Sequence, residues 1–223
     1  MIGVRVDVLA DAGAAAARGA EEITAAGSVA IAERGRFLLA VSGGTEPWRM
    51  FGLLDDRALD WRRTEIFQVD ERVAPDGDGD RNLSHLRESL PAAALERIRP
   101  MPVTAEDLDA AAGRYAASLP EAFDLIHLGI GPDGHTASLV PGDPVLEVRD
   151  RLVALTGEYQ GRRRMTLTYP VLEAARRIIW LIPGAAKREP LRRLLAGDRS
   201  IPAGRVEASR ATVIADRDAL PAA

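Results

Sequence analysis

The chain has 223 residues, 47% of them apolar and 28% charged, the balance of a globular protein with a sizeable core rather than of a disordered or fibrous chain. Its 29 Lys and Arg against 33 Asp and Glu leave a formal net charge of -4, which argues against a general nucleic-acid binder or a polybasic membrane anchor. The absence of cysteine excludes disulfide scaffolds, thiolate zinc sites, iron–sulfur clusters and cysteine nucleophiles, and three histidines leave little for a histidine-rich metal site.

Charges within Met1-Ile2-Gly3-Val4-Arg5-Val6-Asp7 interrupt any signal-peptide apolar core, and no uncharged stretch is long enough to span a bilayer. A cytoplasmic protein without a membrane segment is expected. In chain order, runs rich in Val, Ile, Leu and Phe predict buried strands at residues 4–9, 37–42, 65–69, 123–128, 152–155, 178–182 and 212–215. Helical patterns lie between them at residues 12–33, 47–54, 83–90, 105–118, 169–175 and 185–195, with Thr104 and Asp107 marking one helix start. This alternation predicts an α/β fold, a mostly parallel sheet with helices on both faces. No repeat and no Pro/Gly/Ser linker divides the chain, so a single domain over residues 1–223 is expected. Residues 74–80, Ala-Pro-Asp-Gly-Asp-Gly-Asp, read as a mobile, solvated loop. An EF-hand loop there would need a Glu in twelfth place, but counting from Asp70, Asp76 or Asp78 reaches Arg81, Arg87 or Ser89.

Ligands in open α/β sheets bind beyond the carboxyl ends of the strands, and four such stretches carry unusual residues. The first, Ser42-Gly43-Gly44-Thr45-Glu46-Pro47, offers mobile backbone N–H groups and two hydroxyls before a helix start, a phosphate cradle without the Lys of a P-loop. The second is Asp70-Glu71-Arg72, where Arg72 suits an anion or carbonyl and Asp70 suits orienting it or binding a hydroxyl. The third, residues 129–142, holds Asp133 two positions before His135 in a glycine-rich turn beside a helix N-terminus. That spacing lets the carboxylate fix the tautomer of a general base. Gly129, Gly131 and Gly134 match a dinucleotide fingerprint only by accident, because Pro141-Gly142 stops any long helix. His127 belongs to packing, and His85 to a helix surface or pocket rim. The fourth comprises Arg162-Arg163-Arg164 and Gly184-Ala185-Ala186-Lys187, where Lys187 sits one turn into a helix and reaches the same anion as residues 42–45.

In this order the four stretches resemble the 6-phosphogluconolactonase family and, more broadly, the superfamily it shares with glucosamine-6-phosphate isomerases, over residues 4 to 215. The marks are Ser42-Gly43-Gly44-x-x-Pro47, Asp70-Glu71-Arg72, Gly129-x-Gly131-x-Asp133-Gly134-His135-Thr136-Ala137-Ser138-Leu139-x-Pro141-Gly142, Arg164-x-Thr166 and Gly184-x-x-Lys187. The resemblance implies a modified Rossmann-like sheet and hydrolysis of 6-phosphoglucono-1,5-lactone in the oxidative pentose phosphate pathway, with no metal and no coenzyme. It implies that Ser42, Gly43, Gly44, Thr45, Arg164 and Lys187 hold the phosphate. It further implies that His135, positioned by Asp133, activates water, and that Arg72 and loop N–H groups, Gly131 among the loop residues, lie near the lactone carbonyl. The expected partner is a small sugar-phosphate lactone, with no nucleic acid or membrane, and the protein a monomer or small homo-oligomer.

Two departures stand out. Thr45-Glu46 replaces a Ser-Thr pair in the phosphate loop, so Glu46 is expected to face solvent. Asp80-Arg81-Asn82 replaces Asp-Ser-Asn, leaving Arg81 either to compensate Glu46 or to be exposed. An aminosugar isomerase needs an acid shortly after the loop His, and Thr136-Ala137-Ser138-Leu139-Val140 has none. A sugar-phosphate binder without turnover, and a dinucleotide-dependent oxidoreductase, are the alternatives from other classes.

Overall fold

A computed structural model describes residues 4–57, 59–206 and 211–220, so the first three residues of the N-terminal reading lie outside it. The first half of the chain runs β1 (Arg5–Leu9), α1 (Ala12–Arg34), β2 (Phe37–Val41), α2 (Thr45–Phe51), β3 (Thr64–Gln68), β4 (Asp70–Arg72), α3 (Asn82–Ser89), α4 (Ala92–Leu95), β5 (Ile98–Arg99) and α5 (Leu108–Ser118). It continues through β6 (Leu125–Leu128), β7 (Val153–Leu155), β8 (Arg164–Leu167), α6 (Tyr169–Ala174), β9 (Ile178–Ile182), α7 (Arg188–Leu195) and β10 (Ala211–Asp216).

Among the described residues seven strands form one sheet in the order β1-β10-β9-β6-β2-β3-β5, and every pairing in it is parallel. Alternate side chains of a strand face opposite ways, so β2 sends Phe37, Leu39 and Val41 to one core and Leu38 and Ala40 to another. The first core lies under α1, whose buried face is mostly Ala and Gly, together with Met50 and Phe51 of α2 and Leu83 and Leu86 of α3. The second lies under α5, α6, α7 and the small sheet. This is the expected α/β architecture with both faces covered.

Three details differ from expectation. Among the described residues strand β1 lies at the sheet edge and pairs with β10 alone, and Val6 and Val8 on it are exposed. Helix α5 starts at Leu108 because Asp107, not Thr104, caps it, accepting from the Ala110 N–H at 2.9 Å. The strand expected at 152–155 is present as β7, but it lies in a second, antiparallel sheet of order β4-β8-β7 whose other two strands are not expected from Asp-Glu-Arg and Arg-Met-Thr-Leu; pairing of Asp70 with Thr166 and Arg72 with Arg164 supplies them.

Candidate active site

Strands β9, β6, β2 and β3 are neighbours in the parallel sheet, so the loops leaving their carboxyl ends meet. They enclose a cavity of about 320 Å³, the scale of a small-molecule site. Ser42, Gly43, Gly44, Thr45, Asp70, Arg72, Gly131, His135, Arg164 and Lys187 all line it. Asp133 stands behind His135. Strand β8 of the small sheet carries Arg164 into the cavity.

No helix follows the 129–134 turn; the chain instead closes on itself, with the Gly131 N–H donating to the His135 carbonyl at 2.8 Å. A Cβ on Gly131 would lie 2.0 Å from His135 Nδ1 and 2.8 Å from Asp133 Oδ1, so only glycine leaves room for the imidazole. Asp133 Oδ1 meets His135 Nδ1 at 2.6 Å and the His135 N–H at 3.1 Å. Asp70 is instead held by the Ser138 hydroxyl at 2.6 Å, which makes Asp133 the partner of His135. Burial pushes the Asp133 carboxyl up, but the His135 N–H, the imidazole and the Tyr159 hydroxyl outweigh it and hold it below the usual range. A carboxylate only accepts, so Nδ1 carries the proton, and Nε2 is the ring nitrogen left to take one.

The cavity is also rich in unmet donors. Ser42 Oγ, Arg72 Nε and Arg164 Nε are buried without a hydrogen-bond partner among the described residues, a costly condition unless a ligand meets it. Helix α2 begins after Gly44 with no side-chain cap. Lys187 lies at the end of a single 3₁₀ turn rather than in an α-helix; its Nζ donates to the Ile130 carbonyl at 2.6 Å, and burial lowers its pKa against the pull of Asp133. Arg72 is oriented by Asn82 Oδ1 at 2.7 Å and the Asp80 carbonyl at 2.9 Å, not by Asp70.

Glu46 is half-buried rather than turned fully to solvent: it lines the cavity, one carboxylate oxygen is buried without a hydrogen bond, and Arg49 one turn on stands 3.4 Å away. Arg81 neither compensates it nor is exposed. It is buried against Glu71 at 3.1 Å and also meets Asp76 and the Ala74 carbonyl. The 74–80 loop is correspondingly anchored, since Arg162 reaches both Asp78 and Asp80 at 3.1 Å. His127 is fully buried in β6, edge-on to Phe51 at 5.6 Å, and desolvation pushes its pKa down to about 3, so it is a neutral packing residue. His85 is exposed on α3 beside Trp48. Among the described residues, no group of three or more His, Asp and Glu side chains is placed to hold a metal ion, and no helix is long and apolar enough to cross a membrane.

Residues 10–215 match the family described as glucosamine-6-phosphate isomerases/6-phosphogluconolactonase. The chain belongs to that family. It is 38% identical over 183 residues to a 6-phosphogluconolactonase of Synechocystis, covering 75% of each chain. It is 34% identical over 207 residues to one of Nostoc, covering 86% of this chain and 85% of that one. The solved structure of a 6-phosphogluconolactonase from Shewanella baltica superposes with a TM-score of 0.85 at 25% identity, over 96% of this chain and 98% of the other.

In this family member the cavity wall rests on one buried side chain, Glu71. Its oxygens accept from the Arg72 and Asn82 N–H groups at 2.7 and 2.8 Å, and from the Leu83 N–H and Gln68 Nε2 at 2.8 and 2.9 Å. Glu71 thereby caps α3 and fixes both Arg72 and its orienting Asn82. Glu71→Gln sets an amide NH2 against donors, and breaking so buried a paired charge costs about 3–5 kcal/mol. Denaturant unfolding should show that loss; stability within about 1 kcal/mol of wild type would contradict the assignment. Sequence reading assigns no role to Glu71 or Asn82, although both stand in the stretches it singles out, and does not reach Tyr159. The Asn82 side chain is signalled only by its place after the charged loop, and Tyr159 by nothing local.

Proposed function

We propose that the chain hydrolyses 6-phospho-D-glucono-1,5-lactone to 6-phospho-D-gluconate, a step of the oxidative pentose phosphate pathway. The observation that carries this is the pairing, in one cavity, of a carboxylate–imidazole dyad with three buried donors that lack partners. The names of the relatives support the same substrate. Residues 1–223 act as one cytoplasmic sugar-phosphate domain, monomeric or a small homo-oligomer, without nucleic-acid or membrane partners.

In the mechanism we infer, Ser42, Gly43, Gly44, Thr45, Arg164 and Lys187 hold the phosphate. His135 Nε2 takes a proton from water as the oxygen adds to the lactone carbonyl carbon. Arg72 and N–H groups of the Gly131 loop stabilise the resulting oxyanion, and Asp133 stabilises the imidazolium. The carbonyl reforms as the ring C–O bond breaks, and the imidazolium returns its proton to the departing ring oxygen. Asp70, bonded to Ser138, stands ready to accept from a sugar hydroxyl.

A substrate panel tests the reading: opening of the phosphorylated lactone, of the same lactone without phosphate, and conversion of glucosamine 6-phosphate. Acceleration of the first well above the others is expected. Conversion of the aminosugar, or tight phosphate-ester binding with no turnover, would replace the reading with an isomerase or a binder. Lys187→Ala removes a charge-assisted bond worth about 1.5–3 kcal/mol, so KM should rise roughly ten- to hundredfold with kcat little changed. An unchanged KM in steady-state kinetics would remove Lys187 from the phosphate site.

A further inference from the structure

Tyr159 does not line the cavity, yet it touches both halves of the site. Its hydroxyl donates to Asp133 Oδ2 at 3.1 Å, on the carboxylate oxygen that His135 does not use. Its ring stands edge-on to the His135 imidazole, with centroids 5.4 Å apart and planes at 67°. The Arg164 guanidinium lies over that ring, 4.9 Å from the centroid. We propose that Tyr159 is a positioning residue that locks the Asp133–His135 dyad and ties it to Arg164, the cation assigned to the phosphate. The proposal rests on the lactonase reading for its kinetic consequences, though not for its structural ones.

The backbone places the ring for this purpose. Tyr159 and Arg162 pair across a two-residue turn, Gln160 and Gly161, whose φ angles of 53° and 76° are both left-handed. Gln160 Oε1 accepts from Arg164 at 3.1 Å, and Arg162 anchors the same turn to Asp78 and Asp80. The ring is half-buried rather than a core residue. Burial, with the hydrogen bond to Asp133 adding to it, raises the phenol pKa, so the hydroxyl keeps its proton and donates. Asp133 holds the imidazole through Oδ1 alone, and a carboxylate gripped on one oxygen can still turn about its Cβ–Cγ bond. The Tyr159 hydroxyl on Oδ2 fixes that last torsion, and with it the ring plane of His135. The face of the same phenol ring stabilises the cation beside it.

Two variants separate these contacts. Tyr159→Phe keeps the ring under Arg164 and beside His135 but removes the hydroxyl; it should lower kcat roughly fivefold to tenfold with KM within about twofold. Tyr159→Leu also removes the aromatic face, so KM should rise in addition, by roughly threefold to tenfold. Melting curves of both variants verify the fold. A Tyr159→Phe enzyme with wild-type kcat, or one whose loss lies wholly in KM, overturns the proposal. Nitrogen-15 NMR of the His135 ring supplies a readout independent of the reaction. The neutral ring of wild type should be the Nδ1–H tautomer, and Tyr159→Phe should mix in the Nε2–H form. Identical spectra overturn the locking role. If wild type fails to open the lactone, the functional reading falls while the NMR comparison still decides the role of Tyr159.

Discussion

Replacing His135 with alanine should lower kcat for lactone opening by about 10²–10⁴, the usual contribution of a positioned acid–base group. The side chain lines the cavity and lies in a loop whose hydrogen bonds run through backbone atoms, from Gly131 N–H to the His135 carbonyl and from Gly134 N–H to the Gly131 carbonyl. Removing the imidazole leaves those bonds in place, and with them the donors at Ser42 and Arg164, neither of which bonds to the ring. Thermal unfolding and affinity for 6-phosphogluconate should therefore stay near wild type, and kcat alone should fall. A variant that keeps more than about a tenth of wild-type kcat would contradict the role of His135 as base, and one that unfolds would contradict the retained fold.

The second large effect is expected from one methyl group. In Gly131→Ala the new carbon falls 2.0 Å from His135 Nδ1, inside any permissible contact, so either the ring leaves Asp133 or the loop opens. A displacement of about 1 Å in a catalytic group costs on the order of a hundredfold in rate, and Gly131→Ala should approach that loss. The accompanying overpacking should cost about 1–3 kcal/mol of stability. Kinetics and denaturant melts on the same preparation check both numbers; a variant with wild-type kcat would mean that the imidazole does not occupy the place described. The same observation explains the deceptive glycine spacing. Gly129 has open space where its Cβ would be, Gly131 yields to the imidazole, and Gly134 has a φ of 84° against Ile201. None of the three opens a helix toward a pyrophosphate.

The parts of the molecule that were legible in the sequence are those with a local cause. Alternation of apolar runs with helical patterns marks the strands of the parallel sheet, because a strand buried on both faces must be apolar throughout, as β2 and β9 are. The loops at the ends of β2, β3, β6 and β9 were readable for a different reason: glycines, hydroxyls and charges gather where neighbouring parallel strands end, the place where open α/β sheets bind ligands. What could not be read depends on contacts that only the folded chain supplies. Arg81 looked like a surface departure, but Glu71, ten residues earlier, and the Ala74 carbonyl bury it. Glu46 was expected outside, yet the turn of α2 that brings Pro47 inward also directs Glu46 to the cavity, where Arg49 offsets part of its charge. Strand β4 forms by pairing with β8, about a hundred residues on, and Tyr159 reaches Asp133 across 26 positions of sequence by means of a two-residue turn.

The most direct test of the account is the decay of freshly generated 6-phosphogluconolactone at neutral pH, followed with wild type, with His135→Ala and without enzyme to subtract spontaneous hydrolysis. Wild type should open the lactone rapidly, and the His135→Ala rate should lie close to the blank. Wild type no faster than the blank would contradict the lactonase assignment, and a His135→Ala rate equal to wild type would contradict the dyad as its engine.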